Sequence, residues 1–442
     1  MPDQKKTRVR WRVLAMLFVI SMVTYLDRVV ISTTAPAMMK DLGLSPLQMG
    51  MVFSIFIFGY GIFEIPGGWM GDRWGARGVL TRIVLWWSFF TAATAWAWSY
   101  SSLLVIRFLF GAGEAGAFPN CASVVSRWFP ATERARAKGT LLTGTRIGGA
   151  IAPGFVVILM AWLGWRRVFE ACALLGAVWA VAWFRWFRNT PEEHSSVGEE
   201  ELAISRERPP GVDSVTPALA PSTPVQWGVL LRSKNLWAIC AMYSGYSFGL
   251  YFYLTWLPTY LLNARGVKLS TLGFWAGLPL LVGACSNVLG GFASDWIARR
   301  KGLRWGRRLP AGLGLFASAV LLLVSLSLQS PFAALIAMVA SFACADVILG
   351  PAWATCLDIG KEQAGTVTGC MNSFGQIGGM ISPALVGWIV GRWGSWNVGL
   401  LLTAAAYLFS ACMWLVSDPE KPLAFGAPNA VTLAKTPEVM GE

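Results

Sequence analysis

The sequence predicts an all-α integral membrane protein with twelve transmembrane helices in two six-helix lobes. Three observations carry that expectation. Hydrophobic residues make up 55% of the 442 positions and charged ones only 13%, with a mean hydropathy of +0.54. Apolar runs of about 20 residues, each long enough to cross a bilayer at about 1.5 Å per residue, recur from end to end. One motif also occurs twice, as GGWMGDRWGAR over Gly67–Arg77 and as GGFASDWIARR over Gly290–Arg300. In both copies small residues precede an aspartate, Asp72 or Asp295, and then arginine. A repeat on either side of a polar stretch is the sequence mark of two related halves.

The runs fall near 13–34, 48–69, 79–99, 102–125, 141–163, 168–187, 236–262, 271–293, 309–328, 331–355, 366–390 and 395–416. Glycine and proline are frequent inside them, which bundled membrane helices tolerate better than soluble ones. The expected organisation is a first lobe over 1–190, a linker over 191–234, a second lobe over 235–418 and a tail over 419–442. The linker holds RERPPGVDSVTPALAPSTP and reads as a flexible connection with at most a short surface helix. The tail reads as polar and disordered. The first apolar run carries Asp27-Arg28 and lacks a small-residue cleavage site, so it reads as a span and not as a signal peptide.

The net charge of +13 has a topological explanation. Of the 36 Lys and Arg, 27 fall in the N-terminal tail, in alternate loops and in the C-terminal tail, against 6 on the other side. The positive-inside rule then puts both termini in the cytoplasm, in a multi-pass plasma (inner) membrane protein. A nucleic-acid surface is not expected from this pattern. The eight cysteines are scattered through apolar runs without a CxxC pair, and the single histidine, His194, falls in a polar loop. No metal site, cofactor site or disulfide framework is therefore expected.

Taken in order, the spans carry few polar groups, and each one needs a reason. The basic tail before the first span sets topology, and its charges read as unpaired. The first span holds Tyr25, Asp27 and Arg28 well inside the run, away from both membrane surfaces. The second holds Tyr60 and Glu64. The fourth holds Arg107 and Glu114, seven residues apart and so nearly on one helix face. Gly111, Gly113 and Gly116 around them let a neighbouring helix come close. In the fifth, Arg146 is either a helix-end arginine snorkelling to the interface or a third cavity charge. The tenth holds Asp346 and GPAW, with Trp353, and the eleventh holds Asn372, Ser373 and Gln376. In an apolar helix those three need hydrogen-bond partners, from neighbouring helices or from a ligand.

Gly68, Asp72, Arg73, Gly75 and Arg77 resemble the loop motif of the major facilitator superfamily, in which the aspartate and arginines latch the cytoplasmic side; Asp295 belongs to the degenerate second copy. GAGEAGAFPNCASVVSRWFPATERARAKG is similar to the signature of its anion:cation symporter family, and YLDRVVIS, WLPTYL and GPAW look like features of the same family. The resemblance implies a major facilitator fold and a carrier of organic anions such as sugar acids. It implies that Arg28 binds the substrate carboxylate beside Tyr25 and Tyr60. Asn372, Ser373 and Trp353 would contact the polar body of the substrate. It also implies that Asp27 and Arg107 pair between the first and fourth spans and that Glu114 is the protonatable coupling group. Glu64 and Thr145-Arg146 depart from the pattern and leave the substrate's identity open; an extra cavity arginine favours a diacid.

The expected function is therefore proton symport of a small organic anion (a hexonate, hexarate or hexuronate) by alternating access, in a lipid-embedded monomer. A sodium-coupled carrier, an aromatic-acid or dicarboxylate carrier and a transporter-like sensor are the alternatives. A multidrug exporter fits poorly with fixed cavity arginines. No nucleophile–base pair or metal cluster points to an enzyme.

Overall fold

A computed structural model describes residues 7–206, 227–361 and 364–423. Most of the Pro- and Ser-rich centre of the linker and the end of the C-terminal tail lie outside the described residues, as does the side chain of Asp72. Among the described residues every regular element is a helix. The order is α1 (Val9–Leu42), α2 (Pro46–Trp74), α3 (Ala76–Ala95), α4 (Tyr100–Glu114), α5 (Ala117–Trp128) and α6 (Ala131–Trp186). The linker, 191–234, holds more helix than the single short one expected: a 3-10 turn (Pro191–Glu193), α7 (Glu199–Arg206) and α8 (Trp227–Arg232). Then come α9 (Lys234–Thr255), α10 (Leu257–Asn263), α11 (Leu269–Lys301), α12 (Leu303–Ser327), α13 (Pro331–Asp346), α14 (Leu349–Gly360), α15 (Ala364–Trp393) and α16 (Trp396–Val416).

Local chemistry sets several boundaries. Ser45 and Gln48 cap α2 reciprocally, with Pro46 at its first position, and Ser99 and Ser102 do the same for α4. Ten stretches among the described residues are long and apolar enough to cross a membrane. One of these hides two crossings. The 56 residues of α6 would measure about 84 Å straight, far beyond a bilayer core. The chain turns back within it at Gly164, whose φ of 74° is open to glycine and strained for other residues. The remaining crossing is α9 with α10, where Tyr243, Tyr246, Tyr251 and Tyr253 dilute the hydropathy. Twelve spans result, as the sequence predicts.

Besides α9–α10, which is interrupted at Trp256, two of the twelve are not continuous. The run expected near 102–125 breaks at Ala115-Gly116, immediately after Glu114, and the run near 331–355 breaks at Val347-Ile348, immediately after Asp346. The same kind of contact accompanies both breaks. Gly116 lies against Gly67 of α2, and Gly350 against Gly291 of α11, so closely that a Cβ would strike backbone. The duplicated GG pairs of the repeat motif are thus the surfaces on which the broken spans rest.

Helices α1–α6 pack among themselves, as do α9–α16, and the halves meet through α2 on α15 and α6 on α11. Those contacts lie at the end of the bundle that carries Gly43, Gly164 and Gly394. There Gly50 faces the Pro383 carbonyl, Gly273 lies on Gly154, and Ser54 Oγ donates to Met380 O at 2.6 Å. At the opposite end α5 packs on α1, α2, α3 and α6, and α14 packs on α9, α11, α12 and α15, each within its own half.

Packing holds the loops and tails more firmly than the sequence suggests. Arg10 of the basic tail is not unpaired: its Nε lies 3.2 Å from Glu133, and its backbone N–H, like that of Val9, donates to the buried carboxylate of Glu201. His194, in the loop where the sequence places it, is wedged between Trp186 and Trp128 with ring centroids 4.9 and 6.0 Å away. The start of the tail is packed: the Leu423 N–H donates to Ile359 O, while Asn235 holds the carbonyls of Asp418 and Lys421.

Candidate functional site

Successive residues on a helix point about 100° apart, so Asp27 and Arg28 leave α1 in different directions. Arg28 faces the middle of the bundle. Its guanidinium stands 4.6 Å from the centre of the Tyr60 ring, 5.3 Å from Tyr25 and 5.4 Å from Phe56. Its Nε lies 2.5 Å from Glu114 Oε1. Arg28 Nη2 and Glu114 Oε2 are both buried without a hydrogen-bond partner. Glu114 is the last residue of α4, immediately before the Ala115-Gly116 interruption, where Gly116 lies against Gly67 of α2. Three aromatic faces and one carboxylate fix the guanidinium, leaving donor capacity on one edge.

Asp27 turns into the first half instead. It is 1% exposed, within electrostatic reach of Arg107 and Glu114 and next to the fully buried Trp87. Both of its oxygens, Arg107 Nε and Trp87 Nε1 lack hydrogen-bond partners. The anticipated Asp27–Arg107 pair therefore does not close to ion-pair distance here; the contact between the first and fourth spans is Arg28–Glu114. Arg107 stacks on Phe110 at 4.2 Å and on Phe56 at 5.1 Å, so Phe56 stands between the two arginines. A buried carboxylate without hydrogen bonds is costly, which makes this a poised arrangement.

The second half faces this cluster with tyrosines. Tyr251 is within electrostatic reach of Arg28, Glu114 and Glu64, and its hydroxyl lies 3.4 Å from Gln376 Oε1. Gly379 is required there, because a Cβ would overlap the Tyr251 ring. Asn372 is half-buried one turn before Gln376. Ser373 is exposed on the strip that also carries Ile377 and Ile381, and so it does not join Asn372 on the Gln376 face. Trp353 is 38% exposed, with Lys138 Nζ 5.7 Å from its ring centre and Tyr243 within reach.

Arg146 is the residue whose place the sequence leaves open, and the structure decides it. Its side chain is 13% exposed, and Nη2 lies 2.8 Å from Asp346 Oδ2, across the two halves. Tyr246 donates its hydroxyl to Asp346 Oδ1 at 2.6 Å. Asp346 is absent from the sequence-predicted site. The available signal was the Gly- and Pro-interrupted GPAW just beyond it, in a span corresponding to the one that holds GAGEAG.

The loop motif lies at the basic end. Gly68 rests on Pro119, and Asn120 Nδ2 donates to Gly67 O at 2.9 Å. Arg73 is exposed beside Trp69. Arg77 donates its Nε to Phe184 O and its N–H to Asn189. In the second copy Asp295 binds Arg307 at 2.9 Å, which also holds Asp358 at 3.0 Å.

A sequence model of the Major Facilitator Superfamily matches residues 17–383 and again 303–437. The chain is 33% identical to a probable sulfoacetate transporter of Cupriavidus necator, over 94% of this chain and 95% of that one. It is also 33% identical to a hexuronate transporter of Bacillus subtilis, over 90% and 92%. In fold it resembles a bacterial homologue of the human lysosomal transporter Spinster in an inward-facing, occupied conformation. The TM-score is 0.73 at 19% identity, covering 92% of this chain and 96% of that one.

Proposed function

The chain belongs to the anion:cation symporters of the major facilitator superfamily, and on that premise we propose that it imports a small organic anion together with protons by alternating access. A sugar acid of hexonate, hexarate or hexuronate type is the favoured substrate class, in keeping with the name of the hexuronate carrier. The observation that carries the reading is the state of Arg28: fixed in an aromatic cage, bonded through Nε to Glu114, with a buried Nη2 left without a partner.

A carboxylate entering a low-dielectric cavity needs a fixed cation, and a guanidinium binds it bidentately while remaining charged. Arg28 makes that contact in this scheme, with Tyr25 and Tyr60 bounding it and Asn372 and Trp353 reaching the polar body of the substrate. Each anion that takes up Arg28 competes with Glu114, and the displaced carboxylate is tolerated in that environment once it carries a proton. Anion and proton thereby load together. Asp27 and Arg107, unpaired here, close on one another in the alternate state.

In this scheme both termini lie in the cytoplasm, so the end where α2 packs on α15 and α6 on α11 is the outer one and the substrate leaves toward the basic end. Transport then exchanges the Gly50–Pro383 and Gly154–Gly273 contacts for closure of the basic end, latched by Gly68, Asp72, Arg73, Arg77 and Asp295. A monomer suffices, because the whole site lies within one chain.

The test is uptake by proteoliposomes across an imposed proton or sodium gradient, with gluconate, glucarate, glucuronate, succinate and benzoate. Accumulation of a sugar acid with an inward proton gradient alone supports the proposal. Accumulation with sodium alone contradicts proton coupling, and binding without transport makes the protein a sensor.

A further inference from the structure

The scheme above uses one arginine–carboxylate pair, and the molecule contains a second one built to the same plan. Glu114 is the last residue of α4 before a break, and Asp346 is the last residue of α13 before a break. Glycine pairs of the duplicated motif support both breaks. Each acid holds an arginine from a neighbouring span, Arg28 from α1 and Arg146 from α6, and each unit has a tyrosine in contact, Tyr60 or Tyr246. Tyr25 lies within electrostatic reach of both arginines. Resting on the reading of the chain as an anion symporter, we propose that Arg146 is a second anion-binding group, that the transported species is a small dianion, and that its second anionic head displaces Asp346 from Arg146.

Charge balance makes this specific. Arg28, Arg107 and Arg146 are matched in the buried interior by Asp27, Glu114 and Asp346, so the cluster is neutral as it stands, with Glu64 half-buried at its edge. A buried charge without compensation is strongly disfavoured. An anionic head that takes a guanidinium must therefore be accompanied by a proton on the carboxylate it displaces. A monoanion engages Arg28 and brings one proton; a dianion engages both arginines and brings two.

The surroundings of Asp346 suit that exchange. The groups facing it are Arg146 from α6, Tyr243 and Tyr246 from α9 and Tyr407 from α16, while Gly283 of α11 approaches so closely that a Cβ there would meet Oδ2. The Tyr246 hydroxyl remains on Oδ1 when Arg146 leaves, so the carboxyl keeps a hydrogen-bond partner. A fixed strut between the halves would also need the ion pair. It would not distinguish a substrate with two anionic heads from one with a single head.

Two matched pairs of probes make the distinction: glucarate with gluconate, and sulfoacetate with glycolate. Affinity and the ratio of proton to anion flux are measured on the full-length protein in proteoliposomes. The wild type is expected to prefer the dianion of at least one pair by about tenfold or more, the gain of one charge-assisted contact, with one more proton carried per dianion than per monoanion. The double variant R146Q/D346N removes both partners and leaves no orphaned charge. It is expected to bind both members of that pair about equally, with the extra proton lost. Asp346→Asn alone keeps the second arginine, so the dianion preference persists and only the extra proton disappears. Equal affinity for both members in the wild type, or an unchanged preference in R146Q/D346N, overturns the inference while leaving a one-arginine symporter intact. Absence of binding of all four anions to the wild type overturns the symporter reading as well.

Discussion

The broken spans α4–α5 and α13–α14 are the same device put to different use. In the first, Glu114 binds Arg28 within one half; in the second, Asp346 binds Arg146 from the other half. The local geometry is shared, with an acid at the end of a half-helix, a glycine pair beneath the break and an aromatic next to the arginine. The mechanical consequences differ. Releasing Glu114 changes the charge seen by a ligand, whereas releasing Asp346 also loosens one half from the other. A pair inside a half tunes binding; a pair between halves couples binding to their relative movement.

Removing Arg28 should have the largest effect on this contrast. Arg28→Gln leaves Glu114 buried and unpaired and takes away the anion's partner, with an expected loss in affinity of about 100-fold or more. Arg28→Lys should recover little, because an ammonium lacks the planar fork. Equilibrium binding of the transported anion measures both.

Arg146→Gln should destabilise the protein, because it strands Asp346 with Tyr246 as its hydrogen-bond partner. A cost of about 3 kcal/mol is expected for breaking a buried pair from one side. R146Q/D346N should recover much of it, and thermal unfolding in detergent reads the difference. Equal stabilities would mean that the pair bears no strain and the two breaks are less alike than their geometry.

A bulkier residue at the seam tests the mechanical side. Gly273→Val forces a branched side chain against Gly154, an overpacking of about 1–3 kcal/mol. Populations should shift toward states parted at that end, seen as faster labelling of a cysteine at Ser54.

The smallest effect belongs to His194, outside both breaks. Burial, followed by nearby Arg188, pushes its pKa below the ordinary value. The neutral ring between Trp128 and Trp186 therefore favours the folded linker above the ordinary histidine pKa, and that contribution falls as pH drops through it. Proteolysis of the linker should rise modestly on acidification in the wild type and lose that dependence in His194→Phe.

Much of this was legible beforehand because membrane spans announce themselves by length and hydropathy, and because intramembrane charges are few. Twelve spans, the duplicated motif and the polar groups Asp27, Arg28, Arg107, Glu114 and Arg146 stand out in the sequence. Partner choice does not. Arg107 and Glu114 share a helical face by spacing, yet Glu114 pairs with Arg28 of α1 while Arg107 stacks on Phe110 and Phe56. Arg146 and Asp346 lie 200 residues apart, and nothing local to either specifies the other. The orientation of Ser373, one residue from Asn372, depends on which face of α15 packs on α9 and α2. Tertiary packing decides such matters, and periodicity alone does not reach them.

The central claim is that a carboxylate at a helix break trades its arginine for a proton when the anion binds. It is tested most directly by comparing wild type with Glu114→Gln in proteoliposomes, using the transported anion under an inward proton gradient and then in counterflow without one. Glu114→Gln should exchange the anion in counterflow and fail to concentrate it under the proton gradient. Concentration at the wild-type level by Glu114→Gln would contradict the claim.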